Sequence, residues 1–172
     1  MKLFELSADI AVVIGGTGVL GGGLAQGLAA AGAAVAVLGR NAERGAARVA
    51  AITAVGGKAV FIACDAADQA SLVTAHRQIE AQLGAPTVLV NAAGGNDPKV
   101  TVVGERKVED IALADWRANF DLNLVGGCLL PCQEFGPAMV RRGLGSIINI
   151  ASVSAHVPLS RVMAYSAAKA AV

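Results

Sequence analysis

The sequence predicts an α/β protein: a single domain in which a doubly wound parallel sheet is covered by helices on both faces. Short β-branched and alanine-rich runs alternate along the 172 residues with longer amphipathic stretches. The short runs are continuously apolar, which is typical of strands buried on both faces of a parallel sheet. Because strand–helix–strand crossovers are right-handed, the helices then fall on both sides of that sheet.

The predicted elements follow one another with short connections. Strands are expected over residues 10–14, 34–38, 59–62, 87–90 and 146–150. Helices are expected over 19–31, from the capping residue Asn41 to Gly56-Gly57, over 69–83, over 113–142, and around 165–169. The segments 91–110 and 151–164 are irregular, and the long helix should bend near Pro131 and Pro137.

Composition excludes several classes of function. The net charge is +1 and no basic run is present, so neither a nucleic acid nor a membrane surface is an expected partner. Glu5 and Asp9 interrupt the start of the chain, unlike a signal peptide, and no run reaches the about 18 apolar residues of a membrane span. We therefore expect a cytoplasmic protein. The three cysteines are Cys64, Cys128 and Cys132; with no Cys-x-x-Cys pair they are interpreted as small buried residues, with no metal site.

A glycine-rich turn follows the first strand directly. It consists of Gly15-Gly16-Thr17-Gly18-Val19-Leu20-Gly21, in which Gly16, Gly18 and Gly21 have the G-x-G-x-x-G spacing. Such a turn lets the backbone approach a pyrophosphate, while the N-terminus of the next helix offers free N–H groups. The strand–turn–helix context favours a dinucleotide site, although flexible-turn glycines and a methyltransferase-like loop are alternatives.

The residues after the second strand bear on the choice of cofactor. NAD-binding proteins of this type place a carboxylate there for the ribose 2′-hydroxyl. This chain has Gly39-Arg40-Asn41 instead, and Arg40 can reach a 2′-phosphate. The sequence therefore favours NADP(H) over NAD(H), with an ordinary surface arginine as the alternative.

A serine, a tyrosine and a lysine near the end of the chain indicate proton chemistry. Tyr165 and Lys169 are four residues apart in a predicted helix and would share one face. An ammonium held beside a phenol lowers the phenol pKa from about 10 toward neutrality, which gives a proton donor and acceptor usable in cells. Ser152 lies thirteen residues before Tyr165. Singly, each is equally compatible with a structural role.

Taken together, these residues resemble the short-chain dehydrogenase/reductase family over the whole chain. The family's Thr-Gly-x-x-x-Gly-x-Gly turn is matched with Ile14 in place of threonine and Val19 in place of the middle glycine. The other matches are Asp65 for the adenine-contacting aspartate, Asn91-Ala92-Ala93-Gly94 for the Asn-Asn-Ala-Gly segment lining the cofactor site, and Asn123, Ser152, Tyr165 and Lys169 for the catalytic tetrad.

The resemblance implies a Rossmann-type dinucleotide-binding domain over 1–172 and an oxidoreductase that transfers hydride between NAD(P)(H) and a small carbonyl or secondary alcohol. Ser152 and Tyr165 would bind the substrate carbonyl, and Tyr165 would donate the proton. Lys169 would also bind the nicotinamide ribose, and Asn123 would hold a water. Members commonly form dimers or tetramers, so a homo-oligomer is expected.

A narrower resemblance concerns the substrate. The segments Ala92–Asn96, Phe120–Leu124, Leu130–Gln133 and Pro158–Val162 are similar to the sugar-acid branch, which includes D-mannonate oxidoreductases (fructuronate reductases). A carboxylate substrate would need a fixed guanidinium, and Arg161 is a candidate, although a solvated surface arginine is the favoured interpretation.

The end of the chain leaves one further alternative. Val172 follows Lys169 by three residues, whereas family members run to about 250 residues. We therefore expect a fragment, or an incompletely assigned chain, that lacks its C-terminal strands. A non-catalytic nucleotide-binding module is the alternative function.

Overall fold

The structure, a computed structural model, describes residues 4–157 and 159–172. Its strands are β1 (Ile10–Ile14), β2 (Ala34–Gly39), β3 (Lys58–Ala63), β4 (Val88–Asn91) and β5 (Ser146–Asn149). They form a five-stranded sheet in the order β3-β2-β1-β4-β5, and every neighbouring pair is parallel. This confirms the predicted fold class.

Helices cover both faces of the sheet. They are α1 (Val19–Ala30), α2 (Ala42–Thr53), α3 (Gln69–Gln82), α4 (Leu113–Phe120), α5 (Leu130–Arg142) and α6 (Met163–Ala170). Asn41 caps α2 as expected, because its Oδ1 accepts a hydrogen bond from the N–H of Arg44 at 2.8 Å. Short 3₁₀ turns cover Pro98–Val100, Val108–Asp110 and Val153–Ala155.

The core divides into two layers because successive strand residues point to opposite faces. Val12 and Ile14 pack with residues of α3 and α5, including Phe135. Ala11 and Val13 pack on the other face with residues of α1 and α2. These four residues of the central strand β1 are at most 1% exposed, as their continuously apolar sequence predicts.

The strand order reverses direction at β1. The chain moves outward from β1 through β2 to β3, then returns to place β4 on the other side of β1. The crossover helices on the two sides of this point lie on opposite faces, so a crevice opens beyond the carboxyl ends of β1 and β4. Both irregular segments, 92–112 and 150–162, begin at this carboxyl edge of the sheet.

The helical region 113–142 differs from the prediction. It is interrupted at Asp121–Leu129, which forms a π-helical segment between α4 and α5. Pro131 lies in the first turn of α5, where a missing N–H costs little, and Pro137 lies within α5. The irregularity therefore precedes the prolines. Wide turns of this kind are frequent at functional sites.

The expectation of buried cysteines is modified in part. Cys64 is buried, but Cys128 and Cys132 are only partly buried, and all three are free thiols. His76, on α3, has a side chain that is 12% exposed and lies 2.7 Å from a carboxylate oxygen of Glu134. Pro158, in the predicted loop 151–164, lies outside the described residues. No described helix has the length and apolarity needed to cross a membrane.

Thr87 joins the beginnings of β1 and β4. Its Oγ1 accepts a hydrogen bond from the N–H of Ile10 at 3.0 Å and donates one to Oδ1 of Asp9 at 2.8 Å. Thr87 is 9% exposed, so solvent does not readily replace these bonds.

We expect Thr87→Val to lower the free energy of unfolding by about 1–3 kcal/mol, because the buried N–H of Ile10 loses its acceptor. Denaturant titration measures this. Thr74→Val is the matched control, since the Thr74 hydroxyl is exposed and bonds only to Ala70 within α3. Equal losses in the two variants would show that the Thr87 bonds contribute nothing specific.

Candidate active site

The turn after β1 passes directly against the segment after β4. Gly15 has φ +76, and a Cβ there would lie 2.7 Å from the backbone nitrogen of Ala93. A Cβ on Gly18 would lie 3.2 Å from the carbonyl oxygen of Gly15, and one on Gly21 would collide with the same carbonyl. Glycine is therefore required where the turn folds over the first residues of α1.

The two departures from the family turn are tolerated locally. Ile14 is the last residue of β1 and is 1% exposed in the core. Val19 is the first residue of α1 and is 93% exposed, so its side chain does not obstruct the turn. No side chain caps α1 and no acidic residue lies in its first turn, which leaves its N–H groups to an anion.

A cleft of about 330 Å³ opens beside this turn. The predicted cofactor-binding residues that line it are Gly15, Thr17, Gly18, Arg40, Asp65, Ala92, Ala93 and Gly94. The predicted residues that do not line it are Gly16, Val19, Leu20, Gly21, Asn41, Asn91, Tyr165 and Lys169. The cleft is therefore formed by the first, second, third and fourth strand ends together.

Sequence reasoning missed several lining residues, of which Arg44 is the most important. It stands in the first turn of α2, four residues after Arg40, so two guanidinium groups reach one wall. The signal was available, because the Asn41 cap fixes where α2 begins and hence which way its first turn faces. Gly126 was also missed, since it enters the cleft only through the π-helical segment.

The end of β2 has no room for a carboxylate at position 39. A Cβ on Gly39 would collide with the hydroxyl oxygen of Thr17 and lie 2.7 Å from its methyl carbon. Thr17 thus fills the space that a side chain at this position would need. The glycine at the end of β2 and the threonine of the turn therefore fit each other.

Two asparagines hold the segment after β4. Asn91 is 1% exposed; its Nδ2 donates to Oδ1 of Asn149 at 2.8 Å and to the sulfur of Cys132 at 3.3 Å. Asn123 is fully buried; its Nδ2 donates to the carbonyl of Gly95 at 2.9 Å, and its Oδ1 accepts from the N–H of Gly95 at the same distance. Asn91 supports the sheet, and Asn123 fixes the cleft wall.

Asn123 and Lys169 lie on the same side of Gly94. A Cβ on Gly94 would be 2.6 Å from Oδ1 of Asn123 and 3.2 Å from Nζ of Lys169. The other hydrogen of the Asn123 amide goes to the carbonyl of Asn119 at 3.0 Å, so both donors are used within the protein. The Oδ1 atom retains a lone pair beside the lysine.

Lys169 is buried, with 5% of its surface exposed, and its Nζ donates to the carbonyl of Ile150 at 2.8 Å. Burial lowers the pKa of this ammonium from its ordinary value of 10.5, and the neighbouring Cys128 opposes the change. The bond to Ile150 holds the lysine between the end of β5 and the segment after β4 that forms the cleft wall.

Ser152 and Tyr165 complete the predicted set. The Ser152 Oγ accepts hydrogen bonds from the hydroxyl of Ser154 at 2.9 Å and from its N–H at 3.2 Å. Tyr165 is half-buried on α6, one turn before Lys169. Its phenol makes no hydrogen bond to the described residues, so its oxygen is available to a ligand.

Comparison with known proteins agrees with this geometry. A family model described as short chain dehydrogenase matches residues 9–172. The chain is 39% identical to an uncharacterized oxidoreductase, UxuB, of Bacillus subtilis, covering 98% of this chain and 63% of that protein. It is 35% identical to D-threitol dehydrogenase of Mycolicibacterium smegmatis, covering 96% of this chain and 61% of that one.

Two solved structures superpose closely. A protein described as a D-mannonate oxidoreductase, from Haemophilus influenza with bound NAD, has a TM-score of 0.90 at 34% identity, covering 97% of this chain and 63% of its own. A gluconate 5-dehydrogenase from Burkholderia cenocepacia, in complex with NADP and tartrate, has a TM-score of 0.85 at 32% identity, with coverage of 98% and 63%. The chain thus spans less than two thirds of these relatives.

We predict that Lys169→Met changes how stability depends on pH. The folded state binds the lysine proton less tightly than the unfolded state does, so the wild-type protein gains stability as pH rises through the lowered pKa toward 10.5. The variant lacks this gain, and the two curves of unfolding free energy against pH should differ most in slope just below 10.5.

Thermal unfolding at a series of alkaline pH values measures the difference. Lys58→Met, at an exposed position on β3, is the control for losing one positive charge. Parallel curves for the wild type and Lys169→Met would contradict the effect of burial on this ammonium.

Proposed function

Because the chain belongs to the short chain dehydrogenase family, we propose that it provides the cofactor-binding and catalytic groups of an oxidoreductase that interconverts a secondary alcohol and a carbonyl. The observation that carries the proposal is the position of Gly94. Gly94 lines the cleft, and the side on which a side chain would stand is filled by Oδ1 of Asn123 and lies close to Nζ of Lys169. A ligand against Gly94 in the cleft would therefore be separated from these two side chains by a single glycine.

The cleft fits a nicotinamide dinucleotide. Gly15, Gly18 and Gly21 leave space where side chains would meet backbone, and the uncapped N-terminus of α1 suits a pyrophosphate. Asp65, at the far wall, is placed to accept hydrogen bonds from an adenine or its ribose, although its Oδ1 already accepts one from the N–H of Ala67. When bound, the cofactor supplies or accepts the hydride.

The cofactor is NADP(H) in preference to NAD(H). Arg40 and Arg44 both line the cleft beside the end of β2. Two guanidinium groups suit a 2′-phosphate, which carries about two negative charges, better than a neutral 2′-hydroxyl. The collision of any side chain at position 39 with Thr17 also removes the usual site for a ribose-binding carboxylate.

Tyr165 acts as the proton donor and acceptor. Its phenolic oxygen gives a proton to the carbonyl oxygen during reduction and takes it back during oxidation. Lys169 stands one turn later on α6, and its ammonium is held by the carbonyl of Ile150. The Ser152 hydroxyl donates a hydrogen bond to the same substrate oxygen, and its two bonds from Ser154 orient it for this.

The Asn123 amide positions the cleft wall beside Lys169. By holding both the N–H and the carbonyl of Gly95, it fixes the cleft wall against the π-helical segment. Its remaining Oδ1 lone pair, beside Lys169, can accept from a water that carries protons between the lysine and solvent.

The substrate is a sugar acid or a related hydroxy acid. Relatives that match this chain over 98% or more of its length bear the names gluconate 5-dehydrogenase and 2-dehydro-3-deoxy-D-gluconate 5-dehydrogenase. Oxidation of a panel of hexonates with NAD and NADP, followed at the nicotinamide absorbance, tests both proposals. Cofactor binding without any turnover would instead leave nucleotide binding as the function.

The two arginines of the cleft allow a test of the cofactor preference. Arg40→Ala and Arg44→Ala should each weaken NADPH binding by about 10- to 100-fold and leave NADH binding nearly unchanged, because only NADPH carries the phosphate they contact. Fluorescence titration measures both constants. Arg77→Ala, on α3 away from the cleft, is the control. Equal losses for the two cofactors would contradict the phosphate contact.

Tyr165 allows a test of the proton donor. Tyr165→Phe should lower kcat by at least about 100-fold while NADPH still binds, because the ring is kept and only the hydroxyl is lost. Ser160→Ala, which removes an exposed hydroxyl from the loop before α6, should keep full activity. Turnover by Tyr165→Phe at the wild-type rate would refute the assigned role.

A further inference from the structure

Arg161 has a backbone conformation that arginine rarely adopts. Its φ is +74, and it is the one non-glycine residue among those described whose φ is positive. The left-handed region brings Cβ too close to the following carbonyl oxygen, so glycine or asparagine would be less strained here. Strained residues of this kind persist where surrounding contacts hold them, and they cluster at functional sites.

The contact that holds Arg161 joins the two irregular segments of the site. Its carbonyl accepts a hydrogen bond from the N–H of Val102 at 2.8 Å. Val162 is the N-cap residue of α6, and its carbonyl accepts a hydrogen bond from the N–H of Ser166 at 2.9 Å. Arg161 is therefore fixed at its backbone on one side and by the helix on the other, four residues before Tyr165.

The guanidinium of Arg161 is exposed and makes no ion pair or hydrogen bond with the described residues. The cations Lys99 and Arg106, in the irregular segment 92–112, already have partners within the protein. Lys99 Nζ lies 3.7 Å from Oδ1 of Asp115, and Nη1 of Arg106 donates to the carbonyls of Pro98 and Lys99 at 2.7 and 2.9 Å. Of these three cations, only Arg161 combines a fixed backbone with a free charged group.

We infer that Arg161 binds the carboxylate of the substrate and makes the site select hydroxy acids over neutral polyols of similar size. A guanidinium matches a carboxylate with two parallel hydrogen bonds, which fixes the orientation of the carbon chain as well as its charge. The strained backbone at this position then serves to present the arginine beside Tyr165. This inference rests on the proposed function.

The test compares an acid with a neutral substrate in the full-length protein. With NADP, kcat/KM is measured for D-gluconate and for D-threitol. Arg161→Gly and Arg161→Met should lower the value for the acid by about 10- to 100-fold and leave the neutral substrate unchanged. Lys107→Met, which removes an exposed cation from the opposite segment, should change neither value.

Two further measurements separate binding from folding. Glycine accepts a positive φ, so Arg161→Gly should melt within about 3 °C of the wild type. Tartrate, a hydroxy acid, should raise the melting temperature of the NADP-bound wild type and of Lys107→Met, but not that of either Arg161 variant.

Each remaining outcome overturns the inference in a recognisable way. Equal losses of kcat/KM for the acid and the polyol in the Arg161 variants would show that Arg161 has a structural role. An equal loss for the acid in Lys107→Met would show that net charge alone accounts for the effect. If the wild type oxidises only the polyol, the protein is an oxidoreductase but Arg161 does not bind a substrate carboxylate. A wild type that oxidises neither would remove the proposed function itself.

Discussion

The close approach of Gly15 to Ala93 determines the rest of the site. The turns after β1 and β4 meet with a separation that leaves no room for a Cβ at position 15. This contact sets the wall of the cleft and hence the position of Gly94 and Gly95, which Asn123 clamps from the other side. The same segment lies against Nζ of Lys169, which is bonded to Ile150 after β5. A continuous series of contacts, through backbone and through the side chains of Asn123 and Lys169, therefore connects the glycine turn to α6.

The polar groups along this series are buried, and most are satisfied by backbone. Asn123 uses both amide hydrogens, Lys169 donates to a carbonyl, and Asn91 donates to a side-chain oxygen and a sulfur. Buried polar groups of this kind specify one geometry, because displacement leaves donors without acceptors. By contrast, the oxygen of Tyr165 has no partner in the described part of the chain. Hydrogen bonds thus fix the buried supporting side chains, whereas the oxygen of Tyr165 is left free to meet a substrate.

The sequence predicted the features that depend on local pattern. The five strands follow from continuously apolar runs, the start of α2 follows from the Asn41 cap, and the site residues that line the cleft follow from the glycine turn and the strand ends. What it could not predict depends on contacts between distant segments. The π-helical segment places Gly126 against Ala67 and Gly127 against the carbonyl of Ala93, and neither contact is visible in a helical repeat. The positive φ of Arg161 likewise occurs where its carbonyl accepts a hydrogen bond from the N–H of Val102, in a distant segment.

The most direct test of the account follows an atom from the cofactor to the product. A ketohexonate is reduced by the full-length protein with NADPH carrying deuterium at the transferable position, and the product is analysed by mass spectrometry. The account predicts one deuterium on the new carbinol carbon, in one molecule of product for each NADPH consumed. An unlabelled product, or a protein that binds NADPH and leaves every carbonyl substrate unchanged, would contradict it.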